Sequence, residues 1–289
     1  MQRLPWSSLV GQLGAVLMDP AVSVPQRIVL PLAGGASLFV MPAADASVAI
    51  TKLITFTPGN AGSGRATIQG DVVVFDVATG ERRLVLDGPT VTARRTAAVS
   101  ALAAQLLAPA PQGPLLVIGA GAQGRSHVEA FVSHLGVREV LVASRSIASA
   151  QSLVEHAIRL GASARVATDV KAAVQTCPLI ATCTPANGAV LRSRPRRDAF
   201  IAAVGAFTPA MVELAPEVCT FCAAEGQVIV DTADATHEAG DLIQAGLDAA
   251  SFPSLRQVLD APRGRSGPVL FKSCGWAGWD LAAARAALT

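Results

Sequence analysis

Residues 114–127 read PLLVIGAGAQGRSH, and no other stretch limits the fold as much. Four apolar residues, Leu115 to Ile118, run straight into Gly119, Gly121 and Gly124. The run has the length and character of a buried strand, the glycines those of a tight turn, and the residues beyond predict a helix. In that context G-x-G-x-x-G is a dinucleotide-binding turn. Gly119 permits the turn, Gly121 lets backbone approach a pyrophosphate, and Gly124 lets helix and strand pack closely. The helix N-terminus then offers free N–H groups and partial positive charge to the phosphates.

The same alternation continues downstream. Apolar runs at 115–120, 139–144, 164–167, 179–184, 200–205 and 227–231 read as strands, and helical patterns follow at 123–135, 146–160 and 169–175. Strand–helix alternation predicts βαβ units and a doubly wound parallel sheet, a Rossmann-type α/β fold. The segment before residue 108 differs: it is strand-rich, with a turn at DVATGER, and ends in an Ala/Leu helix at 90–108 with a Thr cap. Two Pro/Gly-rich stretches, 108–114 and 261–268, read as crossings between domains. After 268 the pattern is a short strand, a Gly turn and a last helix. The expected layout is a dinucleotide-binding domain, 111–267, inserted in a smaller α+β substrate-binding and dimerisation domain, 1–110 plus 268–289.

Composition removes several classes. Hydrophobic residues make up 51% and charged residues 15%, which supports a large core and argues against disorder. A net charge of +2 gives no case for nucleic acid. The one basic cluster, RSRPRR at 192–197, reads as a solvated loop. No segment reaches the roughly 18 apolar residues of a membrane span, and the first residues lack the pattern of a signal peptide. The five cysteines, at 177, 183, 219, 222 and 274, have no framework spacing and suit reduced thiols in a cytoplasm. CTFC at 219–222 lacks a second ligand pair, and the four histidines are scattered, so no metal site is expected.

The second strand bears on cofactor choice. An NAD site usually places a carboxylate at its end, on the ribose hydroxyls. Here the strand runs into Ser144, Arg145 and Ser146. An arginine flanked by hydroxyls suits a 2′-phosphate, so NADPH is the expected cofactor, with NADH as the alternative. The first domain offers Arg27, Lys52 and Arg95 in apolar company. Arg94 and Arg95 point about 100° apart on a helix, so one can face a site while the other is solvated. Three cations in one cleft suit a carboxylate substrate.

The stretches QRIVLPLAGGASLFVMPA, TKLITFTPGN, TIQGDVVVFDVATGE, TARRTAAVSALAA, VIGAGAQGRSHVEAF and FKSCGWAGWDLAAA resemble the ornithine cyclodeaminase/μ-crystallin family over nearly the whole chain. The resemblance implies a homodimer in which Arg27, Lys52 and Arg95 meet the substrate, the arginines on its carboxylate. It also implies cofactor contacts at Thr67, Ala122, Gln123, Ser144, Thr184, Val204, Gly205 and Ser273. One departure narrows the activity. Cyclodeaminases and alanine dehydrogenases of the family carry an Asp in the G-x-D-x-P stretch, where this sequence has VGAFTP and Phe207. A phenyl ring moves no protons, but it can wall off the methylenes of a small ring. GAFTP is similar to the family's Δ1-pyrroline-2-carboxylate reductases, which form L-proline and often L-pipecolate from the six-membered homologue. The expected chemistry is hydride transfer to a cyclic imine carbon, with Lys52 either the proton donor, directly or through a water and with its pKa depressed by the neighbouring arginines, or an electrostatic anchor. The alternatives are a cyclodeaminase or alanine dehydrogenase, and a non-catalytic μ-crystallin-like NADP-binding protein. No nucleic acid, membrane or metal partner is expected.

Overall fold

The computed structural model describes residues 4–60, 63–262 and 264–289; Arg263 of the second Pro/Gly-rich stretch and the first three residues of the N-terminal reading lie outside them. The chain divides into two compact units, Met1–Arg95 with Trp276–Thr289, and Thr96–Gly275.

The first unit begins with helix α1 (Trp6–Met18), whose buried Leu9, Val10, Leu13, Val16 and Leu17 recur at helical spacing, a stripe the sequence reading passed over. Five antiparallel strands follow in sheet order β1-β2-β3-β4-β5: β1 (Ile28–Pro31), β2 (Ser37–Ala44), β3 (Val48–Phe56), β4 (Ile68–Asp76) and β5 (Arg82–Asp87). Period-2 alternation sorts their side chains. On β3, Val48, Ile50, Lys52 and Ile54 are buried while Leu53 between them is exposed. The final helix, α9 (Ala277–Leu288), packs on β2, β3 and α1. The DVATGER turn forms as expected: Asp76 accepts from the N–H groups of Ala78 and Thr79, and Gly80 takes a positive φ of 73°.

Helix α2 (Gly88–Leu107) follows β5, and the boundary between the units falls within it. Its cap is Asp87, whose carboxylate accepts from Thr90 N–H at 2.9 Å, rather than the expected threonine. The second unit then runs β6 (Leu115–Ile118), α3 (Ala122–Ala130), β7 (Glu139–Ala143), α4 (Ile147–Arg159), β8 (Ser163–Val166), α5 (Val170–Thr176), β9 (Leu179–Thr182), β10 (Asn187–Leu191), β11 (Phe200–Ala203), β12 (Val212–Leu214), α6 (Pro216–Glu225), β13 (Gln227–Val230), α7 (Gly240–Gln244), α8 (Leu255–Asp260) and β14 (Val269–Lys272). Seven of these strands form a parallel sheet in the order β13-β14-β11-β9-β6-β7-β8. Most are buried along their whole length, as their unbroken apolar runs require of a sheet covered on both faces.

Two features differ from the sequence reading. Strands β10 and β12 form a small parallel pair of their own; neither NGAVL nor VEL is an unbroken apolar run. Strand β14 pairs with β11 on one side and β13 on the other. Val269–Lys272 therefore complete the parallel sheet of the second unit, and the chain returns to the first unit at Trp276 rather than at the Pro/Gly-rich stretch.

Candidate active site

Strand register places the functional loops of the second unit. Ala143, Ile118, Thr182, Ala203, Lys272 and Val230 lie in one row of Cα partners across β7, β6, β9, β11, β14 and β13. Every loop that leaves this row starts at the carboxyl edge of the sheet. The sheet order reverses between β6 and β9, and ligands of open α/β sheets bind outside that point.

The Gly-rich turn sits there, with distinct demands on its three glycines. Gly119 has φ of 114°, and a Cβ on it would lie 2.7 Å from Cys183 O. A Cβ on Gly124 would collide with Gly119 O, whereas Gly121 faces open space. Two glycines are thus required by the fold, and the third leaves the backbone bare at the start of α3. Ala122, Gln123 and Gly124 form the first turn of that helix, whose N–H groups suit a phosphate. On the next strand end, Ser144 is half-buried and Arg145 exposed. Ser146 caps α4, its side chain accepting from Ser149 N–H at 3.2 Å. The edge carries an arginine and no carboxylate where a ribose would lie.

A buried polar network, which the sequence reading did not find, ties the other loops of this edge together. Glu213 is fully buried. One of its oxygens accepts from Thr184 N at 2.6 Å and Thr184 Oγ1 at 2.9 Å, the other from Gly205 N at 2.6 Å. Burial pushes its carboxyl above the ordinary range, while Lys272 and the backbone donors hold it down. Lys272 Nζ donates to Ala206 O at 2.5 Å and pairs with Asp241 at 2.7 Å; Asp241 in turn accepts from Glu213 N and Leu214 N. Burial alone would lower the Lys272 ammonium, but Asp241, Cys274 and Glu213 raise it. Asp231 accepts from Ser273 Oγ at 2.8 Å and from the N–H groups of Cys274 and Gly275. Thr184, Gly205 and Ser273 are therefore held at one edge by buried carboxylates of other elements, and Val204 by its N–H on Thr182 O. No local pattern marks such carboxylates; the one available signal was charge inside otherwise apolar stretches, as in VEL and VLFK.

The first unit gathers Arg27, Lys52 and Arg95. Lys52 is 1% exposed, and its Nζ lies 2.8 Å from Asp280 Oδ2. Arg95, also buried, places Nε 3.3 Å from Asp280 Oδ1. Arg27 is half-buried beside Phe39, its guanidinium carbon 6.0 Å from the ring centroid. Burial lowers the Lys52 pKa to about 8; Asp280 opposes the shift, while Arg95 and Arg27 add to it. Desolvation, not the arginines, is the main cause. Asp280 was missed because a lone Asp in the first turn of an Ala/Leu helix reads as an N-terminal charge. Arg94 is not solvated. It donates to Leu4 O at 2.7 Å and stacks over Trp6. Thr67 lies in this unit just before β4, its carbonyl accepting from Thr57 N. Phe207 is half-buried in the loop after β11 of the other unit.

Other groups weighed from sequence have structural places. Cys219 and Cys222 lie on α6 inside the core, where burial pushes the Cys222 thiol up to about 12 and Cys219 higher still. All five cysteines are free thiols, and no cluster of metal-ligating groups occurs among the described residues. In RSRPRR, Arg196 pairs with Asp198 at 2.7 Å, Arg197 with Glu225 at 2.7 Å, and Arg194 lies over Phe221. No described helix is long and apolar enough to cross a membrane.

Comparison with known proteins agrees with this architecture. The Delta(1)-pyrroline-2-carboxylate reductase 1 of Burkholderia multivorans is 39% identical over 288 residues, spanning 98% of this chain and 91% of its own length. The Delta(1)-pyrroline-2-carboxylate/Delta(1)-piperideine-2-carboxylate reductase of Azospirillum brasilense is 39% identical over 287 residues, 98% of this chain and 91% of its own. The structure of a Thermococcus litoralis Delta(1)-pyrroline-2-carboxylate reductase in complex with NADH and L-proline covers 98% of this chain and 92% of its own with a TM-score of 0.89; at 20% identity, that likeness speaks to the fold. The profile of the ornithine cyclodeaminase/mu-crystallin family matches residues 12–287. A sheet edge built for a dinucleotide, a buried cation cluster on a separate antiparallel unit and a family match from end to end agree: the chain belongs to the ornithine cyclodeaminase/mu-crystallin family.

Proposed function

We propose that this protein reduces the cyclic ketimine Δ1-pyrroline-2-carboxylate to L-proline, and its six-membered homologue to L-pipecolate, as an NAD(P)H-dependent oxidoreductase. The observation that carries the reading is the buried Lys52–Asp280–Arg95 cluster with Arg27 beside it, in a chain with Phe207 where deaminating relatives carry a proton-transferring Asp. Relatives named for this activity are 39% identical over nearly the full length.

The residues present fit a dinucleotide: Gly121 leaves open space at the start of α3, and no carboxylate follows β7. Gly119, Gly121, Ala122, Gln123 and Gly124 would hold its pyrophosphate. Ser144, Arg145 and Ser146 would meet its ribose, with Arg145 favouring the 2′-phosphate of NADPH over NADH. Thr67, Thr184, Val204, Gly205 and Ser273 complete the set. When bound, the reduced nicotinamide supplies a hydride to the imine carbon, whose C=N electron pair passes to nitrogen. Arg27 and Arg95 hold the substrate carboxylate through charge-assisted hydrogen bonds. Lys52, close to neutral in its titration, gives the proton that nitrogen needs. Phe207 packs on the ring methylenes and keeps water off.

The first unit serves as the substrate-binding and dimerisation domain, and the second holds the cofactor. The sheet face turned away from α9 carries Ile28 (61% exposed), Leu30, Leu53 and Val85 in adjoining register positions. An apolar face of that extent suits a second copy of the chain. We place the enzyme in the cytoplasm, where its five thiols stay reduced.

The test is oxidation of NADPH by the purified protein with Δ1-pyrroline-2-carboxylate, run beside NAD⁺-dependent ammonia release from L-ornithine. Fast oxidation without ammonia is the expected result. Cofactor binding with no turnover on either ring size would turn the reading toward a binding protein, and ammonia release toward a cyclodeaminase.

A further inference from the structure

The chain uses lysine sparingly. Of 23 lysines and arginines only three are lysines: Lys52, Lys171 and Lys272. Lys171 is exposed, whereas Lys52 and Lys272 are both fully buried and each faces a buried aspartate. The two pairs differ in how completely they are satisfied. Lys272 also donates to Ala206 O, and Asp241 is engaged by two backbone N–H groups, so that pair is closed. Among the described residues no backbone N–H or hydroxyl donates to either oxygen of Asp280, whose close contacts are the cations Lys52 and Arg95. An ammonium has three donors, and this pair leaves Lys52 donors to spare.

We propose that Asp280 is a positioning residue for the reduction: its carboxylate holds Lys52 as an ammonium in one orientation, ready to give a proton to the substrate nitrogen. The proposal rests on the ketimine-reductase reading of the cluster. Every other group facing Lys52 works against the charged form or is neutral. β2 and β4 place Met41 and Val72 opposite it, and Ile50 and Ile54 flank it on β3. α2 brings Arg95, the segment before β1 brings Arg27, and Arg94 is turned to Leu4 and Trp6. On α9, Arg285 is taken by Asp19 and Asp45. Asp280 is thus the one anion facing the ammonium among the described residues. Asp280 itself lies in the first turn of α9. In the step itself the ammonium loses one proton to the imine nitrogen as that atom receives the C=N pair. The neutral amine left beside the Asp280 carboxylate is then reprotonated from solvent.

Three lysines make the test direct. Protein labelled with ¹⁵N and ¹³C in lysine gives three side-chain signals, and Lys52→Arg identifies that of Lys52. In the unsubstituted protein Lys52 is expected as an ammonium at neutral pH, titrating near pH 8. A neutral amine at that pH would overturn the proposal without any Asp280 variant, so a variant that fails to fold leaves it testable. In Asp280→Asn the titration is expected to fall by about one unit or more, and the alkaline limb of kcat/KM for imine reduction to move down in pH by the same amount. Asp280→Glu should restore both. A folded Asp280→Asn protein with lower activity but an unmoved Lys52 titration would reduce Asp280 to a structural role. Because the spectra need no substrate, inactivity toward cyclic imines would count against the proposed function and leave the Asp280 result standing on its own.

Discussion

A lysine at a register position that faces the core costs stability unless something compensates, because desolvation penalises its charge. Lys52 bears that penalty, and Asp280 only partly offsets it. The residue that results is poised to give up a proton near neutrality, which is where general acids work best. Lys52→Met is expected to lower kcat/KM by about 10²- to 10⁴-fold while leaving cofactor affinity unchanged; steady-state kinetics and a cofactor-fluorescence titration check the two halves. The sign of the pH dependence follows from the role. The donor form is the ammonium, so activity should fall as pH rises through about 8, and Lys52→Met should lose that limb. Sequence reading reached Lys52 because a lysine amid VAITKLITF has little other reason to be there. It did not reach Asp280, 228 positions away, because only the packing of α9 on β3 joins the two.

Among the elements, the turn from β6 to α3 carries the plainest division between folding and binding. Gly124 must be Gly because a Cβ there would meet the carbonyl of Gly119, while Gly121 has open space. Gly124→Ala is therefore expected to destabilise the protein by about 1–3 kcal/mol. Gly121→Ala should leave the thermal midpoint in place and weaken NADPH binding. Thermal melts with and without NADPH separate the cases, and equal destabilisation by both would contradict the assignment. The strands and helices around this turn were legible because the apolar run and the 3.6-residue period are local signals. The pairing of β10 with β12 was not, and helix α1 was passed over although Leu9, Val10, Leu13, Val16 and Leu17 carry that period. β10 opens on Asn187 and Gly188 and β12 has Glu213 at its centre, so neither is an unbroken apolar run, and no side-chain cap at Pro5 marks the start of α1. The same holds for Glu213 and Asp241: Glu213 orders the loops after β9 and β11, Asp241 holds β12 and Lys272, and that geometry exists only after the sheet has formed.

Across the whole molecule, stability should show an acid slope with an identifiable source. His127 is fully buried in the second unit, Nδ1 2.8 Å from Gln123 O and Nε2 2.9 Å from Ser100 Oγ, and burial lowers its pKa from 6.5 to about 4. The unfolded chain binds this proton between those values and the folded one does not. Its contribution to stability is therefore complete above pH 6.5 and is lost as pH falls toward about 4. The loss is on the order of 3 kcal/mol. Urea unfolding at pH 7 and at about pH 4.5 should show a larger drop for the unsubstituted protein than for His127→Gln; equal drops would assign the slope to other groups. Assembly is tested on the open sheet face. Leu53→Arg, at a position already 45% exposed, is expected to shift the molar mass in light scattering from dimer to monomer without lowering β-sheet content.

By itself the sequence determined the chemistry on offer and the parts to hold it. A Gly-rich turn between strand and helix, an Arg in place of a carboxylate after β7, isolated cations in an apolar domain and a Phe in the loop after β11 are local facts, set by steric and charge demands within a few residues. Only the tertiary structure decided what surrounds them. It seated Val269–Lys272 inside the parallel sheet, put Arg94 into a buried contact with Trp6, and set Asp280 against Lys52 and Arg95. Each of these is a contact between residues distant along the chain. A buried charge gains its partner from whichever element packs over it, and that choice is written in no local pattern.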